Sequence, residues 1–365
     1  MAANPEHSNN NARRWRTLHR WLGWSVGLIF VLQGLSGSLL VVAEPLDAWL
    51  NPELAATAGN DPVLLQAADA LEALHPGGVG MGVSRVDEAG KFLTAFWPGE
   101  DPLVPGERRY WLGRIHPADG SVLSARPYGA WPAHRHEAWV FLHAVHTSLT
   151  VGAVGKFFQI GVAALAFLLL ASGVLNWRNR RRALRLRAPG SIRDSLAGRA
   201  HRTLGLGGAA LLAVLLVSGI ALQFETVLDS SFRIRSQEAG TQRLSLRAAW
   251  EAARKHFPDS ETRLVMAPFI PGGAFRIDLI PSSGAQRGQV QELFIDAHSG
   301  RLIEIRNEDK RGALDRMIGA LEPLHGGTIL GTGGELLAFL CGLLPLGLLL
   351  SGHLNRGNRR QAHQR

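Results

Sequence analysis

Arg16-Thr-Leu-His19-Arg-Trp-Leu-Gly23 and Gly198-Arg-Ala-His201-Arg-Thr-Leu-Gly205 are two versions of one phrase, 182 residues apart, and each leads into a long apolar run. The same offset carries Arg20 onto Arg202, Ser36-Gly37 onto Ser218-Gly219 and Asp47 onto Asp229. A second phrase recurs at an offset of 179: His146 maps onto His325, Gly152 onto Gly331, Gly155 onto Gly334, Ser172-Gly173 onto Ser351-Gly352, and Asn176 onto Asn355. The chain therefore reads as an internal duplication. Ionisable side chains at the edge of an apolar run are costly, so each histidine needs a partner or a task. A matched pair at two depths points to sites built between repeats.

Four apolar runs stand out in the 365 residues: Leu22 to Ala43, Phe157 to Leu175, Leu204 to Phe224, and Leu336 to Leu350, the last holding Pro345. About 20 apolar residues cross the hydrocarbon core of a bilayer. The first run is too long for a signal-peptide core, and Glu44-Pro-Leu-Asp47 follows it rather than a small-residue cleavage site. The net charge of +9 gathers at Arg13-Arg14-Trp-Arg16, between Arg178 and Arg202, and from Arg356 to Arg365. With four spans these clusters share one side, and basic excess marks the cytoplasm. This pattern argues for anionic membrane lipid and against nucleic acid as the partner of the basic residues. The expected order is a cytoplasmic N-terminus with the first span (1–44), a periplasmic segment (45–139), the second span (140–177), and a basic cytoplasmic loop (178–200). The third span (201–224), a second periplasmic segment (225–321), the fourth span (322–355) and a cytoplasmic tail (356–365) follow. Both termini are then inside, in a bacterial inner membrane. Cys341 is the one cysteine, so the chain has no internal disulfide and no cysteine-rich zinc or iron–sulfur site.

The two outer segments resemble each other loosely. Pro62 to His75 and Leu246 to His256 read as amphipathic helices stopped by Pro76 and Pro258. Alternating stretches follow: Gly80 to Val86, Lys91 to Trp97 and Tyr110 to Ile115 in the first, and Leu264 to Ala267, Ala274 to Ile280 and Glu292 to Ile295 in the second. Turns at Asp119-Gly120 and Ser299-Gly300 lead to one more strand in each. Helix-then-strands predicts two small α+β modules attached to an α-helical membrane bundle. No nucleophile–base constellation stands out in them.

Taken together, these features resemble the PepSY-associated transmembrane family. The residues that carry the resemblance are Arg16 to Gly23, Leu142-His143-Ala-Val-His146, His201 to Gly205, Leu324-His325-Gly326, and the modules ending in Asp119-Gly120 and His298-Ser299-Gly300. The resemblance covers about Arg13 to Arg360 and implies PepSY-like periplasmic modules. It also implies a membrane protein of the iron-regulated kind, some members of which look like reductases that pass electrons through membrane haems to ferric siderophores.

His19 and His201 open the first and third spans on the cytoplasmic side, and His353 ends the fourth span there. His143 and His146 precede the second span on the periplasmic side, as His325 precedes the fourth. Across the repeats His19 can meet His201, and His146 can meet His325. Haem iron accepts two axial imidazoles, and a four-helix bundle supplies them from facing helices. The expectation is two haems b, one near each face, with His19, His201, His146 and His325 as iron ligands. His143 and His353 compete for these places, since the second copy has Glu322 for His143 and the first has Val174 for His353. Arg20 and Arg202 stand beside the inner ligands, either for haem propionates or as topogenic charges. Glycines near the histidines, among them Gly23, Gly27, Gly205, Gly207 and Gly208, leave room for a flat macrocycle. If helical throughout, the 30 residues from His146 to Asn176 put about 45 Å between the two depths, a long electron path.

The Ser-Gly dipeptides read chiefly as small residues for helix packing, with a cofactor-facing role as the lesser alternative, and Gln33 and Gln223 as amides that bond neighbouring helices. His134 and His136 with His143 suggest a weaker metal patch. The leading expectation is a di-haem reductase that delivers electrons to a periplasmic ferric siderophore or similar Fe(III) complex. No dinucleotide fingerprint is present, so the donor is a quinol or a partner protein. The alternative is a non-catalytic PepSY membrane protein that binds or regulates a periplasmic partner.

Overall fold

The computed structural model describes residues 5–364 apart from 53–59, 86–92, 103–105, 132, 186–194, 239 and 241, and the side chains of 5–12, 183–185, 226, 231, 308 and 356–364 lie outside the description. Val86 and Lys91, ends of two expected strands, and residues 186–194 of the basic loop before the third span therefore fall outside the described residues. In chain order the elements begin with α1 (Pro5–Val41), α2 (Ala43–Leu50), α3 (Asp61–Leu74), β1 (Gly82–Arg85), β2 (Leu93–Glu100), β3 (Arg108–Ile115) and β4 (Val122–Pro127). Next come α4 (Ala138–Ser148), α5 (Gly152–Arg185), α6 (Leu196–Leu222), α7 (Glu225–Leu228) and α8 (Leu246–Arg254). They end with β5 (Ser260–Met266), β6 (Phe275–Pro281), β7 (Gln291–Ile295), β8 (Leu302–Arg306), α9 (Ala313–Gly319), α10 (Leu321–Gly326) and α11 (Gly331–Gln364). Two compact units result, one of Met1–Val42, Leu142–Gln223 and Ala320–Arg365, the other of Ala43–Phe141 and Phe224–Gly319.

The first unit holds four helices long and apolar enough to cross a membrane: Arg13–Val41, Gly152–Arg182, Leu196–Leu222 and Thr328–Asn355. Each exceeds the ~20 residues that a bilayer requires. Many large apolar side chains of these helices point outward, Leu28, Phe157, Leu168, Val217 and Leu336 among them, as a lipid-facing surface requires. Helix α1 packs on α5 and α11, and α6 packs on the same two, so α1 and α6 face each other across the bundle. The α1–α11 crossing is close because Gly34 and Gly342 lack side chains; a Cβ on Gly34 strikes the Gly342 carbonyl. Beside it Ser38 Oγ donates to the Phe339 carbonyl at 2.7 Å.

The second span is not one continuous helix. Leu149 (φ 50°) and Thr150 (φ 65°) take left-handed backbone, with Gly152 (φ 59°) just beyond, and so separate α4 from α5. In the other half Gly327 (φ 86°) and Gly331 (φ 62°) make the corresponding break before α11. A left-handed leucine or threonine costs about 1–3 kcal/mol and persists only where the surroundings impose it.

The second unit departs from two separate modules. Its strands form one eight-stranded sheet in the order β4-β3-β2-β1-β5-β6-β7-β8. The two antiparallel meanders join through β1 and β5, where Gly82 faces Met266, Val83 faces Val265 and Ser84 faces Leu264. Helices α3 and α8 cover one face, burying Leu64, Leu71, Leu246 and Ala249 against Val83, Val265, Phe275 and Leu293 in a single core. Acidic residues of α3 bind basic residues of the second half. Glu72 accepts from Arg243 (3.1 Å) and from the backbone N–H of Leu246 (2.6 Å). Asp61 accepts from Arg85 Nη2 (2.7 Å), the Thr262 hydroxyl (2.9 Å) and N–H (3.1 Å), and Arg254.

Candidate functional site

Two pairs of histidines meet in the interior of the helical unit. The rings of His19 on α1 and His201 on α6 lie 6.1 Å apart, centre to centre, and nearly perpendicular at 81°. The rings of His146 on α4 and His325 on α10 are also 6.1 Å apart, inclined at 56°. These are the two pairings expected from the repeated phrases.

The side chains that hold the rings follow one rule. His19 Nδ1 donates to Ser172 Oγ (2.9 Å) and the Leu169 carbonyl (3.2 Å). His201 Nδ1 donates to the Leu348 carbonyl (2.9 Å) and Ser351 Oγ (3.2 Å). His146 Nδ1 donates to Ser36 Oγ and to the Gln33 carbonyl, each at 3.1 Å. His325 Nδ1 donates to Ser218 Oγ (2.9 Å) and to the Leu215 carbonyl. Every acceptor pair is thus a serine and the carbonyl three residues before it. The glycine after each serine faces the same ring: a Cβ on Gly173 stands 3.2 Å from His19 Cε1, on Gly352 3.4 Å from His201, on Gly37 3.0 Å from His146, and on Gly219 3.0 Å from His325. The Ser-Gly dipeptides, read from sequence as packing residues, therefore form the walls against which the imidazoles lie.

The pairs lie closer together than an unbroken second helix implies. His146 on α4 is level with Ser36 on α1, and Gln159 of α5 donates to the His146 carbonyl at 3.3 Å. Seventeen residues of α1 separate His19 from Ser36, about 26 Å of helix rise. The expected 45 Å fails because the left-handed break at Leu149 and Thr150 turns α4 back beside the bundle. Gln159 itself, buried and within reach of the site, is not singled out by the sequence; an amide in an apolar run is its only signal.

The remaining sequence candidates sort by position. The ring that meets His325 belongs to His146; half-buried His143 lies one turn earlier on α4. His353 is exposed, its ring 5.4 Å from that of Trp24. Arg20 is exposed and Arg202 half-buried. A methyl added at Gly23, one turn beyond His19, or at Gly207 would meet nothing within 4 Å, whereas Leu349 and Leu344 pack against Gly27 and Gly208. Gln223 donates to the Thr147 carbonyl at 3.0 Å, tying α6 to the end of α4. The rings of His134 and His136 lie 5.0 Å apart, tilted at 42°, but among the described residues no group of three or more His, Cys, Asp or Glu is placed to hold a metal ion.

These pairs suit a particular class of ligand. Two imidazoles bound to one metal at about 2 Å each have ring centres about 6 Å apart, close to the 6.1 Å found twice. Each pair offers only two donors, so the rest of the coordination sphere has to come with the metal, as it does with a macrocycle. Each Nδ1 is taken up by the bundle, which leaves the Nε2 edge of every ring for a metal. The residues present fit a bis-histidine haem.

A family model described as PepSY-associated TM region matches residues 16–355. No curated protein matches the chain.

Proposed function

The chain belongs to the PepSY-associated TM region family, and from that premise we propose that it is a di-haem oxidoreductase of the bacterial inner membrane that reduces a ferric siderophore. The observation that carries this reading is the pair of matched histidine contacts, with every Nδ1 bonded to the bundle and every Nε2 left for a metal. Haem b, when bound, supplies a one-electron Fe(III)/Fe(II) couple. His19 and His201 would hold one haem and His146 and His325 the other. The apolar helices keep water from both.

In this reading the two halves are copies of one ancestral unit, and the sheet is built from two PepSY-like modules on the periplasmic side. The basic residues before the first span and around the basic loop mark the cytoplasmic side. A quinol or a partner protein is the one-electron donor and siderophore-bound Fe(III) the acceptor, reduced to Fe(II); the two histidine pairs would hold the groups that relay the electron between them. Siderophores hold Fe(II) far more weakly, so the metal is released.

The test is a visible spectrum of the detergent-purified protein, air-oxidised and then dithionite-reduced, with a pyridine haemochrome measurement. Sharp b-type bands and two haems per chain are the expected result, followed by loss of bound ferric siderophore on reduction. A colourless protein, purified from cells supplied with haem, overturns this reading and leaves the binding of a periplasmic partner as the function to pursue.

A further inference from the structure

We propose that the four Ser-Gly dipeptides are tautomer locks that fix the four histidines as Nε2 ligands and set the potential of each haem separately, an inference that rests on the haem reading above. A carbonyl only accepts hydrogen bonds, so the contacts to Leu169, Leu348, Gln33 and Leu215 require the hydrogen to sit on each Nδ1. The serines cannot reverse this, because their own protons are already committed. Ser36 donates to Leu32 O (2.8 Å), Ser218 to Val214 O (2.8 Å), Ser351 to Gly347 O (2.6 Å) and Ser172 to Leu169 O (2.7 Å). Each Oγ therefore turns a lone pair to its imidazole. The lone pair at Nε2 is the one left for iron.

An imidazole whose N–H donates to strong acceptors is a more basic ligand. More basic ligands favour Fe(III) and lower the potential. Every histidine here has two acceptors, one of them a serine that substitution can remove while the carbonyl stays. The wiring is reciprocal. In the first half α1 carries the lock for His146 and α5 the lock for His19; in the second, α6 locks His325 and α11 locks His201. Serine is the positioning residue in each case, and the following glycine lets the ring close on it.

Optical redox titration and EPR of the full-length protein test the proposal. Ser36→Ala and Ser218→Ala should raise the midpoint potential of one haem and shift its g-values, with two haems per chain retained. Ser172→Ala and Ser351→Ala should do the same to the other haem only. Ser36→Thr, which restores the acceptor, should return the wild-type potential. Ser25→Ala, whose hydroxyl only donates to Trp21 O on the same helix, should move neither. Gly37→Ala, whose methyl crowds His146, should lower the haem content from two towards one. Unchanged potentials and g-values in all four alanine variants, with two haems present, overturn the lock. Equal shifts of both haems in each variant overturn it as well, since they report a general loosening. A wild-type protein without haem removes the underlying reading instead, and is told apart by the absent spectrum.

Discussion

Val83 faces Val265 where the two meanders of the sheet join, and the 182 residues between them are the same step that separates His19 from His201. Gly82 faces Met266 and Ser84 faces Leu264, so the register around the valines is that of a local two-fold. In the helical unit, considered by itself, His19 meets His201 across the same 182 residues and His146 meets His325 across 179.

Replacing a histidine should remove one haem and spare the other. His146→Ala and His325→Ala are each expected to lower the haem content from two per chain to one. His19→Ala and His201→Ala should do the same for the other centre. His353→Ala, at the exposed ring beside Trp24, should leave it at two. Haemochrome assays against protein concentration decide this, and full haem content in His146→Ala would withdraw that ligand.

The glycine crossing of α1 and α11 predicts a steric penalty. Gly34→Ala puts a methyl into the Gly342 carbonyl, and overpacking of this kind costs about 1–3 kcal/mol. Gly161→Ala is the control: nothing lies within 4 Å of its added methyl, and alanine is the better helix former by up to about 1 kcal/mol. Thermal unfolding in detergent should show a lower Tm for the first and an equal or higher one for the second.

Asp296 should make part of the sheet's stability depend on pH. Burial alone pushes a carboxyl up, but backbone N–H groups of Ser299, Glu238 and His298 and the Ser236 hydroxyl hold this one well below the ordinary carboxylate range. The Ser236 and Gln237 contacts are 2.7 Å each. A depressed carboxyl stabilises fully above its unfolded pKa of about 3.9, and that stability is lost as the pH falls towards the folded value. Asp296→Ala, leaving several N–H groups without their acceptor, should cost about 3 kcal/mol at pH 7. The Tm gap between wild type and variant should narrow from pH 6 to pH 3; a constant gap contradicts the assignment.

Asp61 ties α3 to residues of both halves of the sheet. Arg85, only 7% exposed, loses its nearer carboxylate in Asp61→Asn and keeps only the more distant, exposed Glu261, and removing one member of a buried pair costs about 3–5 kcal/mol. A double-mutant cycle with Arg254→Ala should give a coupling well above that of an exposed pair. Additive effects would show that the two side chains act independently.

The architecture is largely readable from sequence because its signals are local. Apolar runs of bilayer length mark the spans, and the helices and strands of the sheet unit fall within a few residues of the alternating stretches. The histidine pairs are readable because a polar residue in an apolar run, repeated at a fixed offset, has few bland explanations. Three features are not. Leu149 and Thr150 adopt left-handed backbone without being glycine, so Gly152 and Gly155 hint at a turn before α5 but not at its position. The β1–β5 junction pairs segments far apart in the chain, and such pairing leaves no pattern in either. Ser36-Gly37 and its three counterparts look like packing residues, since only the fold reveals which imidazole lies across each.

Because every lock sits on a different helix from the ring it holds, neither pair is complete in a partly made chain. Ser351 and Gly352, which hold His201, lie near the end of the last span, and His325 lies just before it. A nascent polypeptide with three spans in the membrane has His19, His146 and His201 but no finished pair. In such a chain His201 lacks its Ser351 and Gly352 wall and His146 lacks His325, so both histidine pairs reach their final form only once α11 is in place.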